Sequence, residues 1–130
     1  MINSFPYFPQ QNSFTCGLTC IKIIAKHYKK IIDITPYYKS LTSKGLSVYD
    51  LCETAENIGF RSSAYDVTLN DLQLINKPVI IHWKSNHYVV LYKVKKGKFF
   101  ISDPAKGLLE YHLKEFYNNW TNGNKFCWGK

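Results

Sequence analysis

His87-Tyr88-Val89-Val90-Leu91-Tyr92-Lys93-Val94, then Lys95-Lys96-Gly97-Lys98, then Phe99-Phe100-Ile101-Ser102-Asp103 is the stretch whose reading decides the fold. Two runs of β-branched and aromatic residues flank a polar turn that carries a glycine, which is the pattern of an antiparallel hairpin. This hairpin opens on a histidine and closes on an aspartate. From His87 to the turn centre near Lys96 is nine residues and from there to Asp103 is seven, so counting out and back brings a carboxylate to an imidazole.

Further strands are expected over Arg61–Tyr65, Val79–Trp83 and Leu109–His112 around that hairpin. Val79–Trp83 and the strand after His87 are nearly continuously apolar, as in a central sheet covered on both faces. Helical signals come earlier. Leu18, Ile21, Ile24, Ala25 and Tyr28 form an apolar face over Gly17–Lys29, with Lys22, Lys26, Lys29 and Lys30 on the opposite stripe. Thr35-Pro36 reads as a helix start, and Ser47 with Asp50 as a capping box for a helix that ends at Gly59. A short helical turn is expected over Asn70–Ile75 and a last helix over Lys114–Trp120. Helices first and antiparallel strands after is an α+β order, with no repeat or low-complexity linker.

The helix with the apolar face starts beside Cys16, with Thr15 as its N-cap candidate and Gly17 allowing a close approach. A thiol is a weak nucleophile at its free pKa of about 8.5, and an adjacent imidazole lowers such a value to roughly 3.5–7.5 through a thiolate–imidazolium pair. Cys16 with His87 is the candidate pair, and Asp103 is the candidate to hold the ring. Gln10, six residues before Cys16, is the candidate donor to an oxyanion, alongside the N–H groups of the helix N-terminus. The bland readings are that Cys16 fills core space, that His87 is a sheet histidine and that Asp103-Pro104 starts an ordinary turn. His82 competes with His87 but has no return strand bringing an acid. Gln11 competes with Gln10. His27 and His112 read as surface or core-edge residues.

Three segments together strongly resemble the C39 peptidases, the N-terminal processing domains of bacteriocin-exporting ABC transporters. They are Gln10 with Cys16-Gly17-Leu18-Thr19-Cys20-Ile21, Asn86-His87-Tyr88-Val89-Val90-Leu91-Tyr92-Lys93, and Ile101-Ser102-Asp103-Pro104-Ala105-Lys106-Gly107. The resemblance runs from about Phe5 to Trp120 and includes Ala55–Arg61 and Pro78–Trp83. It implies a papain-like fold and cleavage of leader peptides after a Gly-Gly pair on the cytoplasmic side of the cell membrane, before export. Carried over by motif, Cys16 is the nucleophile, His87 the base, Asp103 the orienting acid and Gln10 the oxyanion donor. Asn12 and Thr15 depart from the pattern, which usually has acidic residues there. The resemblance also implies a precursor peptide with an amphipathic leader helix as partner, and membrane and ATPase parts following in one transporter. ATP and magnesium would belong to those parts; the peptidase itself is expected to need no cofactor or metal. The alternative is a C39-like docking module that binds a leader without cutting it, and the retained Cys16 argues for the peptidase. Some other papain-like hydrolase or acyltransferase is a weaker third reading.

Composition agrees with one domain over residues 1–130. The chain is 45% hydrophobic and 16% aromatic, enough for a single core, and has no window of 18 apolar residues and no secretory start. Its end at Trp128-Gly129-Lys130 is earlier than family domains usually close, as in an excised or truncated piece. Cys16, Cys20, Cys52 and Cys127 lack the paired spacing of a zinc site; a reducing compartment fits, with Cys20 and Cys52 as core fillers and Cys127 in a tail. The net charge of +8 comes from sixteen lysines and one arginine against nine acidic residues. No nucleic-acid motif surrounds them, so a solvated basic surface that steers an acidic leader or faces an anionic membrane is expected, and nucleic acid is not.

Overall fold

The computed structural model describes the backbone of residues 5–41, 45–84 and 87–129, and the side chains of these except residues 40, 65 and 121–129. Asn86 lies outside the described residues. Among the described residues, four α-helices, α1 (Cys16–His27), α2 (Val48–Ile58), α3 (Leu69–Gln73) and α4 (Leu113–Asn119), accompany six strands. These are β1 (Arg61–Asp66), β2 (Val79–Trp83), β3 (His87–Lys95), β4 (Lys98–Asp103), β5 (Gly107–His112) and β6 (Trp120–Gly129). They form one sheet in the order β1-β6-β2-β3-β4-β5, each pair antiparallel.

The period-2 alternation of β2 and β3 divides the interior into two cores, one per sheet face. Ile80, Tyr88 and Val90 pack with Leu18, Ile21, Ile24 and Ala25 of α1 and with Leu51 and Ala55 of α2. Val79, Ile81, Trp83, Val89 and Leu91 pack on the other face with Phe99, Ile101, Leu72, Phe116 and Trp120. The covered double-sided sheet expected from the two apolar runs is therefore present. Helices α1 and α2 approach closely, because a Cβ on Gly17 would lie 2.7 Å from a methyl of the fully buried Leu51.

Local side-chain chemistry sets most boundaries. Ser47 and Asp50 form the expected capping box, and Gly59 ends α2 at φ 112°, a left-handed conformation. A second capping box, Thr68 with Asp71, starts α3 at Leu69 rather than at Asn70. Lys95 pairs with Lys98 across Lys96 and Gly97, whose φ values of 52° and 77° are those a type I′ turn demands.

Three expectations need correction. Thr35-Pro36 does not open an α-helix: Thr35–Ser40 is a 3₁₀ helix whose start is fixed by Asp33, which accepts the Thr35 N–H at 3.0 Å, while the N-cap position is held by Ile34. The last helix ends at Asn119, and Trp120 begins β6. Cys127 is not in a loose tail, since the backbone of β6 pairs with β1 on one side and β2 on the other. The short helical turn and the last helix expected between and after strands are α3 and α4, which cover the second face of the sheet.

Candidate active site

Cys16 is the first residue of α1, His87 the first of β3 and Asp103 the last of β4. Val90 pairs with Ser102, so the register carries Asp103 to the end of the ladder where β3 begins at His87. The His87 Nε2–H donates to Asp103 Oδ1 at 2.6 Å. That oxygen also accepts the Ala105 N–H at 2.9 Å, so the carboxylate is held from two directions at 1% exposure.

With Nε2 engaged by Asp103, the ring's Nδ1 is the atom left for Cys16, whose thiol is near enough to influence the charge of the ring. Burial disfavours the charged ring, but the hydrogen bond it donates to Asp103, together with the influence of Cys16 and the negative charge of Asp103, outweighs this and raises the His87 pKa from 6.5 to about 9. The imidazole is therefore held as a cation at neutral pH. Thiol, imidazole and carboxylate stand in the order that can form and stabilise a thiolate–imidazolium pair.

Gln10 comes from the extended arm that precedes α1. Its backbone N–H donates to the Pro104 carbonyl at 2.9 Å, which also receives the Tyr7 hydroxyl at 3.3 Å. Two residues before Pro104, the Ser102 hydroxyl donates to Pro6 O at 3.0 Å. The arm is thus fastened to the segment that carries Asp103. The Gln10 side chain is different: its Oε1 is buried and has no hydrogen-bond partner among the described residues. The two ends of a side-chain amide are interchangeable by a half-turn, so this is a buried polar group with a vacant partner. Gln11 is exposed and its N–H is used by Thr15.

The competing residues sit elsewhere. His82 stacks on Tyr88 at 4.7 Å, and burial lowers its pKa. His27 stacks near Phe5 at 5.1 Å, and His112 is exposed. Cys20 is fully buried one turn after Cys16, and burial pushes its thiol up, with the charges of Cys16 and Asp103 adding to the effect. Cys52 is partly exposed and packs against the first core, and burial raises its thiol too. Among the described residues, no group of three or more His, Cys, Asp or Glu is placed to hold a metal ion, and no helix is long and apolar enough to cross a membrane.

Thr15 is at the N-cap position but its side chain does not cap the helix; it turns back onto the loop before it. This role and that of the Pro104 carbonyl were missed by sequence reading. A backbone carbonyl carries no residue-type signal, and a threonine before a helix looks the same whichever way its hydroxyl points.

A sequence profile described as Peptidase C39 family matches residues 4–128. The chain is 31% identical over 118 residues to the colicin V secretion/processing ATP-binding protein CvaB of Escherichia coli, over 89% of this chain and 17% of that protein. It is 36% identical over 121 residues to the lactococcin-G-processing and transport ATP-binding protein LagD of Lactococcus lactis subsp. lactis, over 86% of this chain and 17% of that protein. The chain thus spans 17% of the length of each of these relatives. Among solved structures it matches a double glycine motif protease from an AMS/PCAT transporter in complex with the leader peptide. The TM-score is 0.88 at 26% identity, covering 96% of this chain and 91% of the other.

Proposed function

The chain belongs to the peptidase C39 family, and on that premise we propose that it is a cysteine endopeptidase domain, residues 1–130, that removes leader peptides after a Gly-Gly pair. The observation that carries the reading is the 2.6 Å bond between His87 Nε2 and Asp103 Oδ1, with Asp103 and Cys16 together raising His87 to about 9. The presence of Cys16 beside a protonated ring speaks against a docking module that binds without cutting.

In this account the Cys16 thiolate attacks the carbonyl carbon of the second glycine. The oxyanion is met by the Gln10 amide and by N–H groups of the first turn of α1. The His87 imidazolium gives its proton to the leaving amine as the C–N bond breaks, which leaves the leader as a thioester on Cys16. Water then attacks the thioester, giving one proton to His87; the C–S bond breaks, Cys16 returns as thiolate, and the new carboxyl group of the leader loses the second proton to solvent. Asp103 keeps the ring oriented and stabilises its charge throughout.

The substrate is a precursor with an amphipathic leader helix, and the setting is the cytoplasmic face of a bacterial cell membrane. There the domain acts beside the transmembrane and ATP-binding parts of an ABC transporter that exports the mature peptide; ATP and magnesium serve those parts. Support comes from the processing and transport relatives and from the leader-bound protease of similar fold. Incubation of the purified chain with precursor peptides carrying a Gly-Gly pair, read by mass spectrometry, tests it. Cleavage after the second glycine, absent in Cys16→Ala, is the expected result; binding of every precursor without cleavage of any would favour the docking module.

A further inference from the structure

Resting on that reading, we propose that Thr15 is a positioning residue that fixes the Gln10 amide relative to Cys16. Its hydroxyl is 1% exposed and has its hydrogen-bonding capacity filled by the loop. Oγ1 accepts the Gln11 N–H at 3.1 Å and the Asn12 N–H at 3.2 Å, and donates to Asn12 O at 3.1 Å. One donor and two acceptors are all that a hydroxyl offers. The Thr15 backbone meanwhile belongs to α1: its carbonyl receives the Thr19 N–H at 3.0 Å and the Thr19 hydroxyl at 2.8 Å.

One residue therefore ties the start of the helix, where Cys16 sits, to the two residues that follow Gln10. The other end of the loop is held by the Gln10 N–H on Pro104 O. Between these two fixings the Gln10 side chain has little freedom to drift, and its buried amide end stays vacant for a partner. Because the hydroxyl is spent on the loop, it also leaves the first-turn N–H groups of α1 uncapped by Thr15. An oxyanion donor displaced by about 1 Å loses much of its effect, so removal of this tie acts on turnover through Gln10.

The test uses a synthetic leader peptide ending in Gly-Gly joined to aminomethylcoumarin, with kcat and KM measured for the folded chain and its variants. Thr15→Val, which keeps shape but loses the hydroxyl, is expected to lower kcat about 10- to 100-fold with KM within about twofold. Thr15→Ser is expected to recover most of kcat. Added to Gln10→Ala, Thr15→Val is expected to cost less than about threefold more, because the group it positions is already gone. If Thr15→Val fails to fold, judged by circular dichroism, Thr15→Ala replaces it in the same comparisons. Full multiplication of the two losses, a rise in KM alone, unchanged kcat, or an equal loss in Thr15→Ser each overturns the inference. Failure of the wild type to cleave, or cleavage by Cys16→Ala, strikes the peptidase reading instead.

Discussion

His87 Nε2 lies 2.6 Å from Asp103 Oδ1, at the open end of the hairpin that the two residues delimit. The bond sets both the charge of the ring and the nitrogen it turns toward Cys16.

The alkaline limb of kcat/KM should therefore fall at about pH 9, where the folded imidazolium loses its proton. Asp103→Asn removes the largest influence raising that value and leaves burial to lower it. The variant should lose about 10²-fold or more in kcat, and its alkaline limb should move to lower pH. A limb unchanged by Asp103→Asn would separate this carboxylate from the titration.

The same shift links to stability. His87 is raised from 6.5 to about 9 on folding, so its contribution is fully present below pH 6.5 and is lost as pH rises through 9. The difference in Tm between the wild type and His87→Gln should be largest at pH 6 and shrink by pH 10. A difference that grows with pH would contradict the sign.

Much of this arrangement is legible in the sequence because it rests on local patterns. The bounds of β2 follow from one apolar run after Pro78, and the capping box of α2 from Ser47 and Asp50. The hairpin brings His87 to Asp103 because its turn residues allow one tight reversal. β6 is illegible for the opposite reason. Its Asn122-Gly123 reads as a turn, and its pairing is imposed by the edges of β1 and β2, distant in sequence, with a register shift beside Trp83. Thr15 and Pro104 were missed because their parts depend on where a hydroxyl and a carbonyl point.

Gln10→Ala should lower kcat by about 10²–10³ with KM little changed, since an oxyanion donor acts on charge that develops in the transition state. Steady-state kinetics decides it. A rise in KM alone would make Gln10 a binding residue.

Phe116 anchors α4 against the second core, fully buried and stacked on Phe99 at 4.1 Å. Phe116→Ala should cost about 3–5 kcal/mol in chemical denaturation. A loss under about 1 kcal/mol would mean that α4 is not needed to close this face.

Specificity should reside in the glycines. Replacing either by Val should block cleavage while leaving binding to Cys16→Ala nearly unchanged in fluorescence polarisation, as expected of an enzyme that encloses the two glycines in a slot too narrow for a side chain and binds the leader helix elsewhere. A Val-substituted leader cut at the normal rate would remove the slot.

The most direct measurement is intact-protein mass spectrometry of the wild type mixed with a Gly-Gly leader thioester and quenched in acid within the first turnover. The account predicts one added leader mass, mapped by peptide digestion to the segment containing Cys16 and located there because it vanishes in Cys16→Ala and persists in Cys20→Ala. An adduct that survives Cys16→Ala, or one that maps to Cys52, would contradict it.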